Sequence, residues 1–245
     1  MTIPYGILIA SKMRFFTGSY NQENSPALKP EGDGIGICSL DIEKGDITVY
    51  GYQPHRNPSY MCVSADNNYL FAIEELPEGN GARVFSFEIS SSSTLKLIDS
   101  KTISGGYACH LVICKNHLII ANYLSGDALV LEILNNGHLS SIKQKITNHG
   151  TGPNKARQES AHMHMIYKWN DEMLFLIDLT LDTADSYYFD AAQDKFVKDD
   201  KYNLKIDAGA GARHMVMSND KSLAFVLGEL TSEIFVFEKS GTSFN

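Results

Sequence analysis

Val84-Phe85-Ser86-Phe87-Glu88 is a short strand-forming run closed by an acid, and it returns along the chain as Ile37-Cys38-Ser39-Leu40-Asp41, Leu129-Val130-Leu131-Glu132, Tyr187-Tyr188-Phe189-Asp190 and Phe235-Val236-Phe237-Glu238. The closing acids stand 47, 44, 58 and 48 residues apart. Before each of the last four runs lies a turn and strand: Asn67-Asn68-Tyr69-Leu70-Phe71, Lys115-Asn116-His117-Leu118-Ile119, Asn170-Asp171-Glu172-Met173-Leu174-Phe175 and Asn219-Asp220-Lys221-Ser222-Leu223-Ala224. A further strand precedes each turn, over 59–63, 109–113, 163–167 and 213–217, and another follows the acid, as in 94–98 and 138–142.

Helical periodicity is weak, whereas runs of Val, Ile, Phe, Tyr and Leu are punctuated by Gly, Asn, Asp and Ser, so the chain is expected to be all-β. Four short strands per period, each unit packing on its neighbours, is the pattern of β-propeller blades. About five units are present, the last ending just after its third strand, so the expectation is one propeller domain over 1–245, C-terminally shortened and ending within the fifth blade. Such an ending is expected to leave strand edges unpaired.

The 21 basic residues are outnumbered by 29 acidic ones and form no cluster, which argues against a nucleic-acid or membrane-surface partner. Cys38, Cys62, Cys109 and Cys114 lie in or beside apolar runs without CxxC spacing, as reduced thiols do. In the first twenty residues the basic Lys12 and Arg14 follow the apolar run 7–10, the reverse of a secretory signal, and no segment reaches membrane length. A cytoplasmic protein is expected.

In a propeller the first strands line the central channel, so their starts converge at one mouth. Here those starts read Asn57-Pro58-Ser59-Tyr60, Ala108-Cys109-His110-Leu111, Ala161-His162-Met163-His164 and Ala212-Arg213-His214-Met215. Strand alternation would put His162 and His164 on one face. The second strands end in a matching polar set, Glu74 and Glu75, Asn122, Asp178 and Glu229, and the segment 150–159 adds Lys155 and Arg157. Polar strand ends also serve to satisfy backbone groups, and His-x-His without a third ligand is a weak metal signal, so no metal is expected. No GxSxG elbow is present to suggest a serine hydrolase.

The run Gly150-Thr151-Gly152-Pro153-Asn154-Lys155-Ala156-Arg157-Gln158-Glu159-Ser160-Ala161-His162-Met163-His164, followed by Phe175-Leu176-Ile177-Asp178-Leu179, resembles the signature of the seven-bladed propeller lactonases, the cycloisomerase-type 6-phosphogluconolactonases related to carboxy-cis,cis-muconate cyclase. Gly211-Ala212-Arg213-His214-Met215 with Leu227-Gly228-Glu229-Leu230 is similar to a second family motif, with Ala212 where the family usually has Pro. Thr17-Gly18-Ser19-Tyr20, Asn57-Pro58-Ser59-Tyr60, Cys109-His110-Leu111 and Ala121-Asn122-Tyr123 are further echoes.

The resemblance implies hydrolysis of 6-phospho-D-glucono-1,5-lactone to 6-phosphogluconate in the pentose phosphate pathway, with no cofactor and a small phosphorylated sugar lactone as partner. It implies Arg213 on the carbonyl or phosphate, His162 or Glu229 as base, and Glu229 orienting Arg213 or shuttling a proton. Arg157, His164, Asn122, Asp178, His214 and His110 would bind substrate. Two other readings stay open: a muconate-type lactonising cycloisomerase or other sugar lactonase, and a non-catalytic propeller binding protein. A later-blade arginine of the muconate-cyclising relatives has no counterpart here.

Overall fold

Strand-forming residues interrupted by tight turns build antiparallel sheets from consecutive strands. A computed structural model, describing residues 12–90, 94–241 and 243–245, contains five such sheets. The apolar run 7–10 lies outside the described residues.

The first sheet holds β1 (Lys12–Gly18), β2 (Ile35–Asp41) and β3 (Ile47–Gln53), and the second holds β4 (Met61–Val63), β5 (Tyr69–Ile73), β6 (Arg83–Ile89) and β7 (Leu95–Thr102). The third is β8 (Ala108–Cys114), β9 (His117–Asn122), β10 (Asp127–Ile133) and β11 (Leu139–Thr147). The fourth is β12 (Met163–Lys168), β13 (Met173–Asp178), β14 (Thr183–Asp190) and β15 (Lys195–Lys198), with β16 (Leu204–Lys205) pairing on β14. The fifth is β17 (Ala212–Met217), β18 (Leu223–Gly228), β19 (Glu233–Ser240) and β20 (Ser243–Phe244).

The last of these departs from the sequence reading, which ended the fifth unit after three strands. Lys239 pairs with Phe244 and Ser240 with Ser243, so the chain turns back into a fourth strand. The long interval between Glu132 and Asp190 also has a physical cause: the segment 148–162, between β11 and β12, carries no strand and is held by side chains instead.

The second strands of the three inner sheets, β5, β9 and β13, are buried on both faces because a neighbouring sheet covers each face. Along β9, Leu118 and Ile120 pack toward the second sheet with Phe71 and Ile73. Ile119 and Ala121 pack toward the fourth with Leu174 and Leu176. On β13 the other face, Phe175 and Ile177, meets Met215 and Val226 of the fifth sheet. Leu70 and Ala72 join Ile35 and Ile37 between the first two sheets. Burying one such side chain stabilises by roughly 1.5–3 kcal/mol, so the interleaved layers hold the sheets as one stack. Outward faces of the two flanking sheets, including Ile47, Val49, Ile234 and Val236, remain exposed.

The closing acids mark turns and sheet edges. Asp41 accepts the backbone N–H of Glu43 and Lys44, and Asp190 those of Ala192 and Gln193. Glu88 and Glu132 instead pair with Lys96 and Lys143 on the adjoining fourth strands.

Candidate functional site

The starts of β8, β12 and β17 share a backbone device. Ala108 pairs with Asn122 and His110 with Ala121, leaving Cys109 out of the ladder. The same shift skips His164 between Met163 and Met165, and Arg213 between Ala212 and His214. A β-bulge releases one residue from pairing and re-aims its side chain. All three released residues line one cavity of about 420 Å3.

The facing wall comes from the residues that follow the second strands. Backbone N–H groups of Glu75, Tyr123, Leu179 and Glu229 donate to Asn57, Tyr107, His162 and Gly211, which places the four at equivalent positions in successive sheets. Glu75, Tyr123 and Glu229 line the cavity, joined by Tyr20 beyond β1, whereas Leu179 is fully buried in the core. Arg157 enters from the 150–159 segment. Its neighbour Gln158 is completely buried, donating to the Leu179 carbonyl at 2.9 Å and to Asp182 at 3.1 Å, and it accepts the Asn154 N–H. Gly152 leaves room for this anchor, since a Cβ there would collide with the Gln158 carboxamide.

Inside the cavity Glu229 is held between two guanidinium groups. Arg157 Nη2 donates to Oε1 at 2.5 Å, and Arg213 forms an ion pair with Glu229, its Nε 2.8 Å from Oε2. Burial alone would raise the Glu229 carboxyl, but Arg157, Arg213 and His164 together hold it below the usual carboxylate range. Arg157, bonded to Tyr123 and Glu229, is held firmly charged. Glu75 has a different setting: Tyr20 donates its hydroxyl to Oε2 at 2.8 Å, and among the described residues Glu75 forms no ion pair. Burial pushes its carboxyl up, against the hydroxyls of Ser59 and Tyr20 and the charge of Arg213.

His164 is neutral at pH 7. Burial, Arg213 and His214 lower it to about 4, and its buried Nδ1 has no hydrogen-bond partner. Burial raises the Cys109 thiol, which lies 3.3 Å from the His164 carbonyl. Among the described residues no group of three His, Cys, Asp or Glu could hold a metal.

The structure thus brings together Arg157, His164, Arg213 and Glu229, and places the other expected residues elsewhere. His162 does not share the face of His164, because the bulge breaks the alternation. It stacks flat on Tyr123, ring centroids 4.4 Å apart, donates from Nδ1 to the Tyr123 carbonyl, and sets Nε2 3.0 Å from Glu159. With both nitrogens engaged and 2% exposure, it is not placed as the base. Asn122 donates to the Ser104 carbonyl and Asp127, away from the cavity. Asp178 collects the N–H groups of His162, Thr180 and Leu181 on Oδ1 and the Asn148 amide on Oδ2. Its carboxylate is a turn anchor rather than a substrate contact. His110 and His214 sit on paired positions deeper along the first strands, His110 4.1 Å from Tyr60 and His214 5.2 Å from His164.

Tyr20, Pro26, Tyr107, Tyr123, Cys109 and Glu75 complete the lining; of these the sequence reading names Glu75, among the polar second-strand ends, without giving it a role. The signal of the three tyrosines, Cys109 and Glu75 is positional: each follows a second strand or lies at the start of a first one.

The cavity thus gathers arginines, carboxylates and a histidine at the strand starts and strand ends of neighbouring sheets. The chain belongs to the family described as Lactonase, 7-bladed beta-propeller, which matches residues 14–245. It is 25% identical over 232 residues to 6-phosphogluconolactonase of Bacillus subtilis, covering 93% of this chain and 63% of that protein. Over 228 residues it is 24% identical to 6-phosphogluconolactonase of Formosa agariphila, covering 91% and 63%. The chain therefore spans somewhat less than two thirds of these curated relatives. In fold it is similar to the periplasmic gluconolactonase of Pseudomonas aeruginosa, with TM-score 0.83 and 22% identity over 96% of this chain and 67% of that one. A Bacteroides fragilis structure superposes with TM-score 0.87 at 22% identity, covering 98% and 68%.

Proposed function

We propose that this protein hydrolyses a sugar δ-lactone, 6-phospho-D-glucono-1,5-lactone, to the open-chain acid 6-phosphogluconate. The observation that carries this reading is the Arg157–Glu229–Arg213 cluster at the cavity of a lactonase-family propeller. Ring opening moves negative charge onto the carbonyl oxygen, and a planar guanidinium fixed in advance stabilises that oxygen without reorganising. Glu229 is the positioning group, because it holds Arg213 by Nε and leaves the terminal nitrogens for substrate. Arg157, with its free donors, suits the phosphate. No cofactor is required, since the lactone is an activated ester. The four free cysteines suit a reducing compartment such as the cytoplasm, where the pentose phosphate pathway would supply the lactone.

The test follows loss of freshly generated 6-phosphogluconolactone over its spontaneous hydrolysis, with this chain and its Arg213→Ala variant, alongside glucono-1,5-lactone. The phosphorylated lactone is expected to be consumed faster, and Arg213→Ala to abolish the difference from background. Equal rates on both lactones would remove the phosphate from the proposal; no rate above background on either would overturn it.

A further inference from the structure

Neither residue first considered as the base is placed for that task. His162 has both nitrogens engaged behind Tyr123, and Glu229 has both oxygens on guanidinium groups. A carboxylate in that state has little tendency to take a proton. The cavity holds a second carboxylate, Glu75, one residue past Glu74 and at the position in its sheet that Glu229 holds in the fifth.

The two neighbours are sorted by their partners. Glu74 is fastened to Arg56 through two bonds of 2.7 Å and to the Arg83 N–H at 2.9 Å, so it is part of the scaffold. Glu75 takes the neutral Tyr20 hydroxyl, with the Ser59 hydroxyl also acting on its carboxyl, and its backbone is fixed by Asn57, which accepts the Glu75 N–H and donates its side-chain amide to the Glu75 carbonyl. Tyr20, Cys109 and Arg213 surround the carboxyl, and Arg157, His164 and Glu229 line the same cavity.

Resting on the lactonase reading, we infer that Glu75 is the catalytic base of the ring opening, poised by Tyr20. The Glu75 carboxylate takes a proton from water as the water oxygen bonds to the lactone carbonyl carbon. The carbonyl π pair moves onto its oxygen, facing Arg213. When that pair returns, the bond from carbon to ring oxygen breaks, and the proton on Glu75 passes to the departing oxygen, which becomes a hydroxyl. The product carboxylic acid then loses its own proton to solvent, leaving Glu75 as it began. General-base catalysis of this kind contributes about 10²- to 10⁴-fold.

The raised proton affinity of Glu75 gives the inference a distinctive readout. Activity falls as pH drops through the pKa of a base, so the acid limb of kcat/KM is expected above the ordinary glutamate range. It is also expected above the value of about 4 that His164 would impose. The experiment measures pH profiles for the chain, Glu75→Gln and Tyr20→Phe, with thermal melts to establish that each variant folds. Glu75→Gln is expected to lose at least about 100-fold in kcat with KM changed little, and to lose the acid limb. Tyr20→Phe removes a bond that favours the charged carboxylate, so its limb is expected at higher pH, with most of the maximal rate kept. A wild-type chain inert on lactones would overturn both this inference and the function it rests on. An active chain in which folded Glu75→Gln keeps its kcat and acid limb, or in which Tyr20→Phe leaves the limb in place, would overturn the role of Glu75 alone.

Discussion

At the ends of the second strands, neighbouring residues take opposite paths. Glu74, Asn122 and Asp178 turn back and bind backbone or partner side chains of the scaffold, whereas Glu75 and Tyr123, one residue past the first two, face the cavity together with Glu229, which follows Gly228 at the equivalent place in the fifth sheet. A similar division separates His162 from His164. The cavity wall and the layer behind it use the same residue types, so chemical identity does not tell a reacting carboxylate from a structural one. Satisfied hydrogen-bonding capacity does: a carboxylate with three backbone N–H donors is already committed.

The comparison predicts a separation of activity from stability, and the largest effect is expected at the wall. Arg213→Ala should lower kcat/KM by about 10²- to 10³-fold, the usual loss of an oxyanion donor, with a melting temperature within a few degrees of the parent, read by steady-state kinetics and calorimetry. Asp178→Ala should do the reverse. It strands three N–H groups, two of them buried, and the Asn148 amide, costing about 3 kcal/mol in a urea titration, while the folded fraction keeps its rate within a few-fold. Arg213→Ala melting much lower, or Asp178→Ala folding normally but inactive, would break the division.

Between these extremes lies the Gln158 tether. Gln158→Ala should free Arg157 from its placement, raising KM about 10-fold on the phosphorylated lactone while kcat changes little. The smallest effect is expected from His162→Phe, which keeps the flat contact with Tyr123 and loses the bonds to the Tyr123 carbonyl and Glu159. Its cost should be about 1 kcal/mol in stability and less than about 10-fold in rate.

Acid should act on the same region through its histidines. His164 is lowered to about 4 and His110 to about 3, and His214 is lowered too, with burial the largest cause in each. Below the ordinary histidine value of 6.5 the unfolded chain binds protons that the folded chain refuses. Stability is therefore full above about pH 6.5 and lost as the pH falls toward 4, by up to about 1.4 kcal/mol per pH unit for each such group. Glu75, raised rather than lowered, opposes this weakly, since its contribution is lost as pH rises. Melts from pH 7 to 4 of the parent and His110→Phe should show a shallower acid loss in the variant.

The five-fold recurrence of strands was readable because period-two hydrophobicity and turn residues are local, and the sheets follow them within a few residues. His164, Arg213 and Glu229 could be placed near one another from their strand positions, and Arg157 from the loop ahead of β12. The bulges could not, because skipping a ladder pair is a hydrogen-bonding event with no residue signature here: the skipped residues are Cys, His and Arg. Alternation therefore misassigned His162. Asp178 and Asn122 were misread for a related reason: an acid or amide at a strand end looks the same whether it meets substrate or an adjacent N–H.

The bulged positions free specificity from folding. A side chain outside the ladder does not set the pairing register of its own strand, so a thiol, an imidazole and a guanidinium occupy the same address in three consecutive sheets. A rim built this way can be rewritten one residue at a time, with Cys109 the neutral position from which its charge can be tuned toward a different acid or lactone.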